Sequence, residues 1–315
     1  MLKKTLVAIA AAAVGTFAQA QTTPVTIGMS GWTGFAPLTL AKEAGLFKKH
    51  GLDVTLKKIP QKDRHLALAS GDIQCAATTV ETWIVWTANG IPTTQIFQLD
   101  KSYGADGMVV KPGIAKISDL KGKTVAASAP GTAPYFTLAW MLKKNGLSVK
   151  DVNVVNLEPQ AAANAMIAGT ANLDAAMTYE PYLSAVREKP EAGKIIATTL
   201  DYPMIMDTVG CTPKFLAENP KAARAMADAY FDALAMIKAD PAKSFEIMGA
   251  DVKQSAEAFE ASQKYLRWQD REANQKFFAG EHAAFSKEAA DLLLESGIIK
   301  QVPDLSKLAD TRFVK

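Results

Sequence analysis

The sequence predicts an α/β protein of two lobes with a helical C-terminal extension. Three observations carry this. Short apolar strand patterns alternate with amphipathic helix patterns over residues 25–98, the alternation starts again at 107 and runs to 198, and from Pro213 onward strand signals cease. Repeated strand and helix units of this length imply parallel-type sheets with right-handed crossovers. No Gly/Ser-rich linker marks either junction, so paired crossing strands near 99–107 and 198–208 are expected to serve as a hinge between lobes that close on a ligand. The expected division is residues 24–103 plus 205–315 for the first lobe and 104–204 for the second.

The elements follow in order. A strand over 25–29 precedes a helical pattern over 34–49, with Phe35, Leu38, Ala41, Gly45 and Leu46 on its apolar side and Lys42, Glu43, Lys48 and Lys49 on its polar side; Gly51 ends it. A strand over 53–56, a helix over 63–70 stopped by Gly71, a strand over 73–77, a helix over 80–89 closed by Asn89-Gly90 and a strand over 93–98 complete the first set. The second set reads as strand 107–110, helical turn 117–120, strand 124–127, helix 134–145 ending at Gly146, strand 152–156, helix 160–168, strand 173–177, helix 180–188 and strand 195–198. Helices over 219–238, 241–249, 253–266 and 272–296 form the tail.

At 315 residues, with 49% hydrophobic and 21% charged residues, the chain has the composition of a globular protein able to bury a large core. Residues 1–20 carry Lys3 and Lys4, an apolar run from Leu6 to about Phe17, and Ala18-Gln19-Ala20 as a small-x-small site. This is the pattern of a secretory signal cleaved after Ala20; its apolar run falls short of the roughly 20 residues a membrane span needs. Export to a periplasm is expected, with no lipid anchor and no membrane insertion. Lys+Arg 35 against Asp+Glu 32 becomes 33 − 32 = +1 without Lys3 and Lys4, which offers nucleic acid no electrostatic footprint. Cys75 and Cys211 could pair in an oxidising compartment, yet two cysteines make no framework, and a pair of small buried thiols is the favoured reading. They and the scattered His50, His65 and His282 lack metal-ligand spacing. No metal and no cofactor are expected.

In open parallel sheets, ligands gather beyond the carboxyl ends of strands, where helix N-termini point free N–H groups. Five such places stand out. Ser30-Gly31-Trp32-Thr33-Gly34 offers close backbone approach and an aromatic wall at Trp32. Thr78-Thr79-Val80-Glu81 places hydroxyls at a helix start, with Thr79 the candidate ligand residue and Trp83 a candidate wall; capping and core packing are the structural alternatives. Ser128-Ala129-Pro130-Gly131-Thr132-Ala133-Pro134-Tyr135 suits an acceptor group, with Thr132 and Tyr135 as candidates. Thr178-Tyr179-Glu180-Pro181 follows a strand directly. Asp207 sits in the apolar run Pro203-Met204-Ile205-Met206-Asp207-Thr208-Val209, where a carboxylate is costly to bury unless it is paired; Asp106 poses the same question at the other crossing. If Asp106, Glu180 and Asp207 converge on one cleft, its guest carries positive charge or several N–H donors.

The phrase Gly31-Trp32-Thr33-Gly34-Phe35-Ala36-Pro37, leading to Ala44-Gly45-Leu46-Phe47-Lys48-Lys49-His50-Gly51-Leu52-Asp53-Val54, resembles the opening of periplasmic solute-binding proteins of the taurine/nitrate/alkanesulfonate type. So do Asp119-Leu120-Lys121-Gly122-Lys123-Thr124-Val125, Val155-Asn156-Leu157-Glu158-Pro159, Leu173-Asp174-Ala175-Ala176-Met177 and Asp310-Thr311-Arg312-Phe313-Val314, in the expected order. The resemblance implies a periplasmic-binding-protein fold of type II. It also implies capture of a small solute and its delivery to a membrane ABC permease with a separate ATPase subunit. It places ligand contacts at Trp32, Thr79, Thr132–Tyr135 and Asp207, the last matching an acidic residue that meets the amine in taurine-type members.

Glu180 departs from the family pattern of an aromatic or small residue before this proline, and an added carboxylate disfavours a simple anion. The expected guest is therefore a small cationic or zwitterionic nitrogen compound, an amine, guanidine, amidine or taurine-like solute, with an aliphatic sulfonate or nitrate-type anion as the alternative. A monomer is expected. The same fold resembles pyrimidine-synthesis proteins related to thiamine biosynthesis, but these carry a histidine- and cysteine-rich region that this chain lacks. Neither an activated Ser-His or Cys-His pair nor a G-x-x-x-x-G-K-[ST] loop is present in the sequence, and an enzyme is not expected.

Overall fold

A computed structural model describes residues 22–170 and 172–315; the export signal expected over 1–20 lies outside them. The first part of the chain supplies β1 (Thr23–Met29), α1 (Ala36–Glu43), α2 (Leu46–Lys49), β2 (Leu52–Lys58), α3 (Gln61–Ser70), β3 (Cys75–Thr79), α4 (Val80–Ala88) and β4 (Thr94–Ser102). The middle supplies β5 (Asp106–Val110), β6 (Thr124–Ala126), α5 (Ala133–Lys144), β7 (Asn153–Val155), α6 (Pro159–Ile167), β8 (Ala175–Tyr179), α7 (Tyr182–Arg187) and β9 (Lys194–Thr198). The chain then returns through β10 (Met206–Cys211) and continues as α8 (Pro213–Glu218), α9 (Pro220–Ala239), α10 (Pro241–Asp251), α11 (Ala256–Gln263), β11 (Leu266–Trp268), α12 (Arg271–Lys276) and α13 (His282–Glu295).

Two sheets result, one six-stranded in the order β11-β4-β10-β3-β1-β2 and one five-stranded in the order β7-β6-β8-β5-β9. They are mixed rather than parallel throughout. β1 pairs parallel with β2 and β3, and β6 with β7 and β8, as the βα repeats require. The strand that follows each crossing runs the other way: β5 is antiparallel to β8 and β9, and β10 to β3 and β4. Residue alternation reports a strand's burial and not its direction, so the sequence pattern could not separate the two cases.

The crossings are stitched side by side. Ser102 Oγ lies 2.6 Å from Thr199 Oγ1, the Gly104 N–H donates to that same hydroxyl at 2.9 Å, and the Thr199 N–H donates to the Asp106 carbonyl at 3.0 Å.

α9 begins with Pro220 and buries Ala223, Met226, Ala227, Tyr230, Ala233, Leu234 and Ile237, an i, i+3, i+4, i+7 stripe that covers one face of the six-stranded sheet around Phe97 and Val209. The Tyr230 hydroxyl, fully buried there, donates to the Leu99 carbonyl. On the other face Trp83 and Trp86 of α4 join Phe136 and Trp140 of α5 and Phe285 of α13 in a second apolar cluster. The last helix therefore packs on both α4 and α5.

Two details of the tail differ from expectation. The helix read over 272–296 is α12, a π-helical turn (Phe277–Glu281) and α13, and the short edge strand β11 lies within what the spacing predicts as helix or turn.

The favoured reading of Cys75 and Cys211 as separate thiols is corrected: they form a disulfide. Antiparallel pairing of β3 with β10 sets them directly opposite each other across 136 residues of sequence. A bridge closing so long a loop is typically worth about 2–4 kcal/mol.

Candidate functional site

The carboxyl ends of β1 and β3 and the amino end of β10 meet at one side of the six-stranded sheet, facing the end of β8 and the start of α5 from the other sheet. β1 delivers Ser30 and Trp32; β3 delivers Thr78 and Thr79; β10 delivers Asp207, which the strand register sets opposite Thr79. α3 adds Gln61 and Arg64, while Tyr179 and Ala133 come from the five-stranded side. Together they enclose a cavity with about 20 Å³ of room for the centres of water-sized molecules, the scale of a single water. The ring of Tyr179 closes edge-on against Trp32, with centroids 5.4 Å apart. A wider surface groove of about 590 Å³ runs past Lys58, Tyr182, Glu188 and Lys253, but exposed and half-buried groups line most of it and none of the buried acids does.

Trp32 is held by its indole N–H, which donates to both Asp100 carboxylate oxygens at 3.2 and 3.3 Å. Gly34 is required beside it, because a Cβ there would collide with the Asp100 carboxylate and the Trp32 indole. Arg64 is the buried cation of the site. Its Nε and Nη1 donate to the Ile59 and Ala77 carbonyls at 2.8 and 2.5 Å, and burial lowers its pKa to about 10, leaving it charged at neutral pH. Asp207 is 3% exposed, and no protein donor among the described residues reaches its carboxylate.

Burial, reinforced by Asp100, Asp106 and Glu81, pushes the Asp207 carboxyl well above the ordinary range, while Arg64 opposes the shift. The same cause dominates for its acidic neighbours. Burial raises Glu81 to about 8 against a bond from the Thr79 hydroxyl, and Asp106 to about 7 with Glu180 adding repulsion. Asp100 is also raised well above its usual value, by burial first. Carboxyl groups outnumber the one buried guanidinium, so a cationic group in the cavity replaces protons that burial would otherwise retain.

Of the residues proposed from sequence, Trp32, Thr79 and Asp207 line the cavity together. Asp106 lies behind them at the crossing, its N–H donated to Ser102 Oγ at 3.1 Å and its Oδ2 unpartnered. Thr132 stands beside Ala133, but its hydroxyl donates to the Ala129 carbonyl at 2.7 Å; Tyr135, farther into α5, is partly exposed and off the cavity.

Two expectations are corrected. Glu180 does not face the cavity: Arg187 and the Ser184 N–H bind its carboxylate, the guanidinium also donates to the Gly104 carbonyl at 3.0 Å, and it stacks 4.0 Å over the Tyr265 ring. Trp83 is core, donating to Thr208 Oγ1 at 2.7 Å and meeting Trp86 edge-on with centroids 5.0 Å apart. Gln61 and Arg64 went unnoticed in the sequence; their one signal is polar side chains at a helix start directly beyond the end of β2.

Among the described residues no group of three or more His, Cys, Asp or Glu side chains could hold a metal, and no helix is long and apolar enough to cross a membrane.

Two mixed sheets, joined by a double crossing and enclosing a charged cavity at their facing strand ends, define the class: a two-lobed periplasmic-binding-protein fold. The chain belongs to the NMT1/THI5-like family, whose profile matches residues 32–244. It is 28% identical over 232 residues to the taurine-binding periplasmic protein of Escherichia coli K12, covering 71% of this chain and 69% of that one. It is 24% identical to a putative binding protein of Brucella abortus, over 75% of this chain and 74% of the relative. In fold it is similar to the alkanesulfonate-binding protein SsuA of Xanthomonas axonopodis pv. citri bound to MOPS (TM-score 0.80, 17% identity, 92% of this chain and 99% of that one). It is also similar to the periplasmic nitrate-binding protein NrtA of Synechocystis PCC 6803 (TM-score 0.75, 18% identity, 93% and 87% covered).

Proposed function

We propose that the protein is the solute-binding component of an ABC importer and holds a small cationic or zwitterionic nitrogen compound, taurine-like in size, between its lobes. One observation carries the choice of guest: Asp207 is buried in the cavity with no protein donor among the described residues on its carboxylate. An ammonium or guanidinium group supplies that donor as a charge-assisted hydrogen bond. Similarity to a taurine-binding protein supports the same reading. The alternative, a sulfonate or nitrate-type anion, draws on Arg64 and on the start of α5; a zwitterion uses both ends of the cavity.

Residues 24–103 plus 205–315 and residues 104–204 act as the two lobes. They part at the double crossing to admit a solute larger than the closed cavity and shut around it, a shift of population without chemistry. The loaded form is handed to the permease, whose separate ATPase subunit supplies the energy. Export through the N-terminal signal places a monomeric chain in the periplasm.

Titration calorimetry of the mature protein with taurine, ethylammonium, guanidinium, ethanesulfonate and nitrate tests the reading. Heat of binding is expected from a nitrogen cation or zwitterion; binding of ethanesulfonate or nitrate alone would transfer the assignment to anions. Turnover of a bound solute by the pure protein would replace it with an enzyme.

A further inference from the structure

We infer that Gln61 is a placeholder: in the solute-free protein its carboxamide occupies the start of α5 from across the cleft, and the acceptor end of a guest displaces it. This rests on reading the cavity as the solute site. Gln61 opens α3, which packs on β1 and β3, whereas α5 packs on β8 of the other sheet. Its Oε1 accepts the Ala133 N–H at 3.1 Å while its Nε2 donates to Thr78 Oγ1 and Thr82 Oγ1, both at 2.8 Å. One side chain therefore ties the two sheets together inside the cavity.

α5 has no cap of its own to take that role. Thr132 holds the capping position but turns its hydroxyl to the Ala129 carbonyl, and the following Pro134 has no N–H. The N–H of Ala133 is thus an inward-facing donor at the positive end of a helix, satisfied by a neutral acceptor from the opposite lobe. An anionic oxygen binds such a donor more strongly than a carboxamide does. Departure of Gln61 leaves Thr82 with Thr79 Oγ1 as a partner at 2.9 Å, and it frees the buried Thr78 hydroxyl, which also lines the cavity, to donate to or accept from the guest. The unpartnered Asp207 carboxylate in the same cavity marks where the other end of the guest lies.

A placeholder protects one amide and competes with the guest, whereas an ordinary contact residue only helps the guest bind. Amide hydrogen exchange at Ala133 in the solute-free full chain reads the first property. Gln61→Ala is expected to speed it about tenfold, the scale of one lost hydrogen bond, and Gln61→Glu, which keeps an acceptor, is expected to leave it slow. An unchanged rate in Gln61→Ala overturns the inference.

Calorimetry with taurine reads the second. Gln61→Ala is expected to bind about threefold to tenfold more tightly, because the occluded population no longer reduces the apparent affinity; equal or weaker binding overturns the placeholder role. If taurine fails to bind the unaltered protein, the reading of the solute fails, and the exchange rates alone decide for or against Gln61.

Discussion

Asp207 at the start of β10 and Glu180 just after β8 are both acids set in apolar surroundings, both nearly inaccessible, and both held above the ordinary carboxylate range by burial. Their surroundings differ in one respect. Glu180 lies within reach of Arg187, seven residues on at the far end of α7, and of the Ser184 N–H, so its charge is answered within its own lobe and serves to hold α7 against the crossing. Asp207 opposes Thr79 and lies near Arg64, whose Nε and Nη1 are engaged by backbone carbonyls, and no donor among the described residues completes it. A buried acid becomes a candidate binding determinant when the fold withholds its partner, not when it is merely buried.

The comparison is broken most easily at Arg187. Replacing it in Arg187→Met should cost about 3–5 kcal/mol of stability, because the carboxylate of Glu180 is left buried and unpaired. Urea unfolding at neutral pH measures this, and a midpoint equal to that of the unaltered chain would mean that Glu180 is not structurally paired in solution.

Asp207→Asn should behave in the opposite way. The solute-free protein is expected to melt at the same temperature or higher, since a neutral amide replaces a carboxyl that burial already holds toward its neutral form, while affinity for a nitrogen cation falls by about 1.5–3 kcal/mol, the scale of a charged hydrogen bond. Calorimetry beside a thermal melt separates the two effects, and a large loss of stability with intact affinity would reverse the roles assigned to the two acids.

The remaining effect concerns pH and is the smallest for a change of one unit. Asp106 at about 7 and Glu81 at about 8 stay protonated in the folded protein where the unfolded chain has already released its protons. Their contribution to the stability of the solute-free fold is fully present below the ordinary carboxylate range and is lost as pH rises toward 7–8. A cation favours the deprotonated acids, so its affinity should rise from about pH 5 to about pH 8, by at most about tenfold per pH unit for each proton displaced. Proton release into buffers of different ionisation enthalpy checks the sign, and affinity that falls across this window would show that the guest binds the protonated site.

Much of the candidate site was legible because local chemistry announces it. Trp32 between glycines, Thr79 at a helix start and Asp207 in an apolar run each break a local rule in a way that calls for a reason, and all three line the cavity. Glu180 stood out as a departure from the family pattern, but its reason lay in Arg187, whose approach depends on how α7 folds back after Pro181. Trp83 and Trp86 gave a signal that core packing explains more often than a ligand wall does. Gln61 and Arg64 gave almost none, since polar residues on an amphipathic helix are the ordinary case, and only the docking of α3 beside β3 turns them inward.

The sequence by itself determined the alternation of strands and helices, the break between the two sets and the long apolar stripe of α9, because those depend on periodicity within a few turns of chain. Tertiary structure decided the direction of the crossing strands, the union of Cys75 with Cys211, and which acid met a partner. Each of these is a pairing between residues far apart in sequence, and the register of β3 against β10 fixes two of them at once: it sets the disulfide at one end of the pair and Asp207 opposite Thr79 at the other.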